Sequence, residues 1–143
     1  MQAFEARPEF ERDVRSSFAR QKLMDLCGAS LTKIVPGTVE IQMPSRALTQ
    51  HHAYLHAAVV TAFIDNASGF AAMTVSLAGT EILTVEYKVN FLASAIGEIL
   101  IVRGTVRKKG RTFTICTGDA VMVRDGKEQS AAMMVATMHP VAS

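Results

Sequence analysis

Residues 56–77 read HAAVVTAFIDNASGFAAMTVSL, and the reading of this run decides the fold. From Tyr54 to Thr80 the only formally charged residue is Asp65. A stretch so long and apolar raises the question of a membrane span. Much of it, however, is Ala, Thr, Ser, Gly and Asn, it has no Lys or Arg flanks, and the segments behind it alternate like soluble strands. A helix that is apolar on nearly every face belongs inside a core, so residues 56–77 are expected to form a buried central helix.

Outward from this run the pattern changes to sheet. Ile82 to Phe91 alternates, with Leu83, Val85, Tyr87, Val89 and Phe91 on one face and Thr84, Glu86, Lys88 and Asn90 on the other, as in a half-buried strand. Residues 99–108, 112–123 and 130–139 follow as three more strands in an antiparallel meander, joined at Lys109-Gly110 and Asp125-Gly126. Before the run, Leu31–Val35 and Thr38–Met43 flank Pro36-Gly37, a turn pair. Phe10, Val14 and Phe18 make one stripe on a helix from Pro8 to Leu26, with Gly28 as its stop. An antiparallel sheet with one apolar face must cover it, and the central helix is the only cover apolar enough. The expectation is an α+β fold in one domain over residues 1–143, its sheet wrapped around residues 56–77, with residues 1–28 an N-terminal helical segment.

Composition narrows the classes of function. The 143 residues are 49% hydrophobic and 20% charged, which suits one folded domain and neither disorder nor a solvating tail. A net charge of +2, spread over both ends, lacks the concentrated positive surface of a nucleic-acid binder. Cys27 and Cys116 are far apart and form no CxxC, so free thiols in a reducing compartment are expected and a metal held by cysteine is not. The N-terminus, with Glu5, Glu9, Glu11 and Asp13 among its arginines, has no secretory apolar core, and a cytoplasmic location is expected.

Asp65 lies in an apolar helical run, where a carboxylate is expensive unless it is paired or functional. Either it carries chemistry, or Asp65-Asn66 marks a local break in the helix that the carboxylate caps. At the start of the run the amides of Ala57 and Ala58 lack intrahelical acceptors, and the helix dipole there favours an anion. That makes a natural oxyanion hole. His56 reads either as a helix-start residue or as part of the site, Gln50 either as loop surface or as a side chain able to orient a water or carbonyl, and Thr84 either as an ordinary β-favouring strand residue or as part of the site.

The stretch Gln50-His51-His52-Ala53-Tyr54-Leu55-His56-Ala57-Ala58, with Asp65-Asn66-Ala67-Ser68-Gly69 behind it and Leu83 to Ala95 beyond, resembles phenylacetate-degradation-type (PaaI-like) acyl-CoA thioesterases. That family's pattern is an Asn or Gln, six residues, a His-Gly-Gly, and an acid further along the same helix. The resemblance implies a hotdog fold and hydrolysis of an acyl-CoA thioester. It makes Asp65 the catalytic acid, as nucleophile or as general base, and Ala57 the residue whose amide holds the thioester carbonyl oxygen. Gln50 positions the reacting groups, His56 is the motif histidine, and Thr84 falls near the nucleophilic water. The chain departs from the pattern in reading His-Ala-Ala. An alanine keeps its amide, but the methyl groups of Ala57 and Ala58 bear on rate and substrate choice.

Eight residues separate Ala57 from Asp65, so on one helix they stand roughly 12 Å apart along the axis. One acyl carbon does not reach both, and the acid of one chain must meet the helix start of another. A homo-oligomer, a dimer or a dimer of dimers, is therefore expected. CoA enters only as part of the substrate, with no metal or redox cofactor, and Lys108, Lys109 and Arg111, with Arg107, are candidates for its phosphates. Rival readings on the same fold are a non-catalytic acyl-CoA binding module, a dehydratase using His56, and a structural subunit.

Overall fold

The computed structural model describes residues 3–45, 48 and 54–142. Its elements run α1 (Phe10–Arg20), α2 (Lys22–Leu26), β1 (Ser30–Val35), β2 (Thr38–Pro44), α3 (Ala57–Met73), β3 (Thr80–Phe91), β4 (Ile99–Lys109), β5 (Thr114–Arg124) and β6 (Lys127–Ala142). The strands form one antiparallel sheet in the order β1-β2-β4-β5-β6-β3, and α3 packs against its inner face. This is the expected α+β architecture of a sheet around a central helix. Among the described residues no helix is long and apolar enough to cross a membrane.

The core lies between α3 and the sheet. Phe63 and Ile64, both 0% exposed, each contribute about 1.5–3 kcal/mol by leaving water. The helix comes close because Gly104 of β4 and Gly118 of β5 pair directly beneath it. A Cβ on Gly104 would stand 2.3 Å from the Ala67 carbonyl, and one on Gly118 would stand 2.2 Å from an Ile64 methyl. Only glycine leaves that space.

Four features differ from the sequence reading. The first helix is two, broken at Gln21, whose backbone is extended (φ −84°, ψ 107°). The break lets α1 lay Phe18 against Phe70 of α3 (ring centroids 6.1 Å) while α2 turns Met24 inward. Second, α3 ends at Met73, short of residue 77. The Thr74 hydroxyl donates to the Ala71 carbonyl at 2.7 Å and the Ser76 hydroxyl to the Ala72 carbonyl at 2.8 Å, competing with continued helix. Third, β3 joins the sheet beside β6 at its far edge, a position the sequence reading did not give, while β4, β5 and β6 form the expected meander. The segment after β3 crosses the sheet end, where Leu92 N–H donates to Ala131 O at 2.8 Å and Glu98 N–H to Val123 O at 2.8 Å.

The fourth difference matters most. Opposite Met138 and Thr137 of β6, β3 sets Thr84 and Glu86, leaving Val85 as the extra residue of a β-bulge. Paired residues project from the same face, so the alternation changes phase there. Thr84 shares the inner face of buried Met138, and beyond the bulge Tyr87, Val89 and Phe91 continue that face beside Ala136, Met134 and Ala132. Leu83, grouped in the sequence with Tyr87, lies on the outer face with Glu86 and Lys88.

Candidate active site

The start of α3 is built by His56. Its backbone is extended (φ −60°, ψ 132°), and its ring Nδ1 accepts from the Ala58 amide at 3.1 Å. Its carbonyl accepts from Val59 N–H at 3.0 Å and Val60 N–H at 3.2 Å. His56 is thus the N-cap, with Nδ1 unprotonated. The Ala58 amide, expected to be free, is satisfied. Among the described residues nothing accepts from the Ala57 amide, which leaves one donor at the positive end of a 17-residue helix. Ala57 also lines a cavity of about 300 Å³ with Tyr54, Leu55, Val60, Phe91 and Leu92.

Two turns along, the half-buried Asp65 accepts a hydrogen bond from the Thr84 hydroxyl through Oδ1 at 2.7 Å. Met138 Sδ lies 3.6 Å from the same hydroxyl, but the carboxylate is the far stronger acceptor. Burial pushes the Asp65 carboxyl above the usual aspartate range, and the Thr84 hydrogen bond opposes that rise. The helix continues straight through this residue, so Asp65 neither caps nor breaks it. The bulge at Val85 is what turns Thr84 inward to meet it. Next door, Asn66 Nδ2 donates to Gln21 Oε1 at 2.8 Å, tying the helix beside the acid to the α1–α2 break. The sequence reading missed this contact because 45 residues separate its partners.

Of the predicted site residues, then, Asp65 and Thr84 are brought together, and His56 and Ala57 sit together about two helix turns away. Gln50 lies outside the described residues. The eight residues from Ala57 to Asp65 lie on one continuous helix, so about 12 Å separates the two ends of the site along one chain. Lys108, Lys109 and Arg111 sit exposed at the β4–β5 turn. That turn flanks the acid: Thr114 pairs with Met138, and Met138 pairs with Thr84.

A carboxylate whose pKa burial raises, held by one hydroxyl, on a helix whose first amide has no acceptor among the described residues, supplies the kinds of group that acyl transfer to water uses. The thioesterase superfamily model matches residues 52–128, and the chain belongs to that superfamily. A crystal structure of a thioesterase family protein from Silicibacter pomeroyi is 44% identical, covering 94% of this chain and 99% of its own, with a TM-score of 0.91. The Escherichia coli PaaI protein of the phenylacetic acid degradation operon is 13% identical with a TM-score of 0.82, covering 94% of this chain and 95% of its own. A Haemophilus influenzae thioesterase is 14% identical with a TM-score of 0.80, covering 99% and 93%. The last two establish the fold, a PaaI-like hotdog. No curated protein matches the chain.

Proposed function

We propose that the protein hydrolyses an acyl-CoA to free acid and CoA, at sites shared between two copies of the chain. The observation that carries this reading is the Asp65 carboxylate held by Thr84 at 2.7 Å on the helix that begins with the open Ala57 amide. A water on Asp65 gives its proton to the carboxylate as its oxygen attacks the thioester carbonyl carbon. The negative charge that develops on the carbonyl oxygen is received by the Ala57 N–H. Collapse breaks the C–S bond, and the departing CoA thiolate takes the proton from Asp65. In the alternative order Asp65 attacks first, and water then cleaves the acyl anhydride.

The sharing of sites is supported by distance and by exposed apolar surface. On the inner face of β3, Tyr87 is 45% and Phe91 51% exposed, and β3 is a 12-residue strand at a sheet edge. Such an edge is covered in stable proteins. A two-fold partner that covers it brings its own Ala57 toward this Asp65. Gln50 joins the Ala57 side of the site, and Lys108, Lys109 and Arg111 receive the phosphates of CoA. The assembly is a dimer or a dimer of dimers.

Thiol release from a panel of acyl-CoA thioesters tests the reaction, and bound acyl-CoA that stays intact would favour a binding module instead. Subunit mixing tests the shared site. Asp65→Asn and Gln50→Ala chains, each inactive alone, are unfolded and refolded together. Under two-fold pairing with equal reassortment, activity should recover to roughly a quarter of wild type, because half the dimers are mixed and half their sites are whole. No gain, with mixing verified by mass spectrometry, rejects sharing.

A further inference from the structure

The turn between β4 and β5 carries an arrangement that phosphate contacts alone do not require. Arg107, Lys108, Lys109 and Arg111 surround Gly110, and no acidic residue occurs from 107 to 118. The ion pairs among the described residues engage Arg7, Arg12, Arg15, Arg20 and Arg103 and none of these four. Two residues after Arg111 stands Phe113, 45% exposed, its ring against the His139 imidazole with centroids 5.5 Å apart and planes at 58°.

The ring is held in place. Gly110 N–H donates to the Phe113 carbonyl at 2.8 Å, closing the turn. A Cβ at Gly110 would stand 2.5 Å from that oxygen, so the closure depends on glycine. His139 Nδ1 lies 3.0 Å from the Thr112 carbonyl. A carbonyl only accepts, so Nδ1 carries the hydrogen and donates. Loop and imidazole together fix an exposed aromatic face on a turn that carries four basic residues and no acidic one, a combination that suits a flat, anionic ligand. The turn lies at the end of the sheet where Asp65 is held, with the Phe113–His139 pair on the outer face, since His139 is the partner of outward Leu83. Thr114, Met138 and Thr84 are successive partners across β5, β6 and β3, so the turn begins about 10 Å from the threonine that holds Asp65.

We propose that Phe113, backed by His139, is the stacking platform for the adenine of CoA, with the phosphates on Lys108, Lys109 and Arg111. The proposal rests on the acyl-CoA reading above and adds a determinant of nucleotide recognition. It gives the enzyme a reason to prefer a CoA thioester over the same acyl group on a shorter thiol.

The test compares the best CoA thioester of the panel with the N-acetylcysteamine thioester of the same acid. Phe113→Ala should raise KM for the CoA thioester about tenfold, leave kcat unchanged, leave the short thioester unaffected, and be rescued by Phe113→Trp. The chain contains no tryptophan, so Phe113→Trp also reports directly: free CoA should quench its emission and pantetheine should not. An unchanged KM, equal losses on both thioesters, or tryptophan emission indifferent to CoA overturns the platform. Should Phe113→Ala fail to fold, the emission of Phe113→Trp decides alone. Failure of the thioesterase reading has a different signature, since the wild-type protein would then hydrolyse neither thioester.

Discussion

β5 and β3 present the same kind of inward-facing alternation and meet opposite fates. On β5 the inward residues Thr114, Cys116, Gly118, Ala120 and Met122 are all buried. Burial pushes the Cys116 thiol up to about 12, which leaves it inert. On β3 the inward Tyr87 and Phe91 remain about half exposed, although their β6 partners Ala136 and Ala132 are 0% and 2% exposed. The cause is position. α3 is seated over Gly104 and Gly118 in the middle of the sheet, and β3 has a strand on one side only. The central strand is covered within one chain; the edge strand keeps an exposed apolar face, and Asp65 is held from that edge strand by Thr84.

The largest effect that tests this division is expected at Asp65. Asp65→Asn should lower turnover by about 10²–10⁴-fold while leaving the fold at least as stable. The sign follows from linkage. The folded protein raises the Asp65 pKa, so this group's stabilising contribution is full below the ordinary aspartate value and is lost as pH rises through the raised one. Above the raised pKa the ionised carboxylate burdens the fold, and the asparagine removes that burden. A thermal scan at pH 7 showing a clearly lower Tm for the variant would return Asp65 to a structural role.

A matched pair of substitutions separates edge from centre. Tyr87→Lys, on the open face of β3, should weaken self-association by about tenfold or more and reduce activity with it, with little change in secondary structure. Sedimentation and rate measured at the same concentrations check this, and a fully active monomer would break the comparison. Gly118→Ala, beneath α3, should instead destabilise the protein by about 1–3 kcal/mol through overpacking against Ile64, read by denaturant unfolding, with the oligomer intact at low temperature. Dissociation of Gly118→Ala before it unfolds would show that the sheet centre also serves the interface.

The smallest effect is a shift along the pH axis. Thr84→Val removes the hydrogen bond that lowers the Asp65 pKa, so the acid limb of kcat/KM should move to higher pH. Activity is lost as pH falls through the Asp65 pKa, so the variant loses it sooner, with a rate deficit of roughly tenfold at neutral pH. An unmoved limb would mean that the rate-limiting protonation lies elsewhere.

Much of this was legible along the chain. The uninterrupted apolar run of residues 56–77 demanded a buried helix because no polar face was available to meet water. The alternating segments behind it demanded a sheet, and the single carboxylate in the run singled out Asp65, because a buried charge is costly unless it is paired or functional. That the first amides of the helix, Ala57 among them, lack intrahelical acceptors followed from helix geometry alone. The His-Ala-Ala variant kept them, since the donors belong to the backbone.

What the chain order could not decide was anything that depends on which strand lies beside which. Perfect alternation from Ile82 to Phe91 put Thr84 opposite Tyr87, and only pairing with β6 reveals the bulge at Val85 that turns Thr84 to Asp65. The break at Gln21 is met by a partner at Asn66, 45 residues on, and the closeness of α3 to the sheet depends on two glycines that meet only across β4 and β5. Local sequence determines period and polarity, because these reside in neighbouring residues. Register, edge and exposure arise from contacts between segments far apart in the chain, and those decided how Asp65 is held and why one copy of the chain leaves its β3 face open.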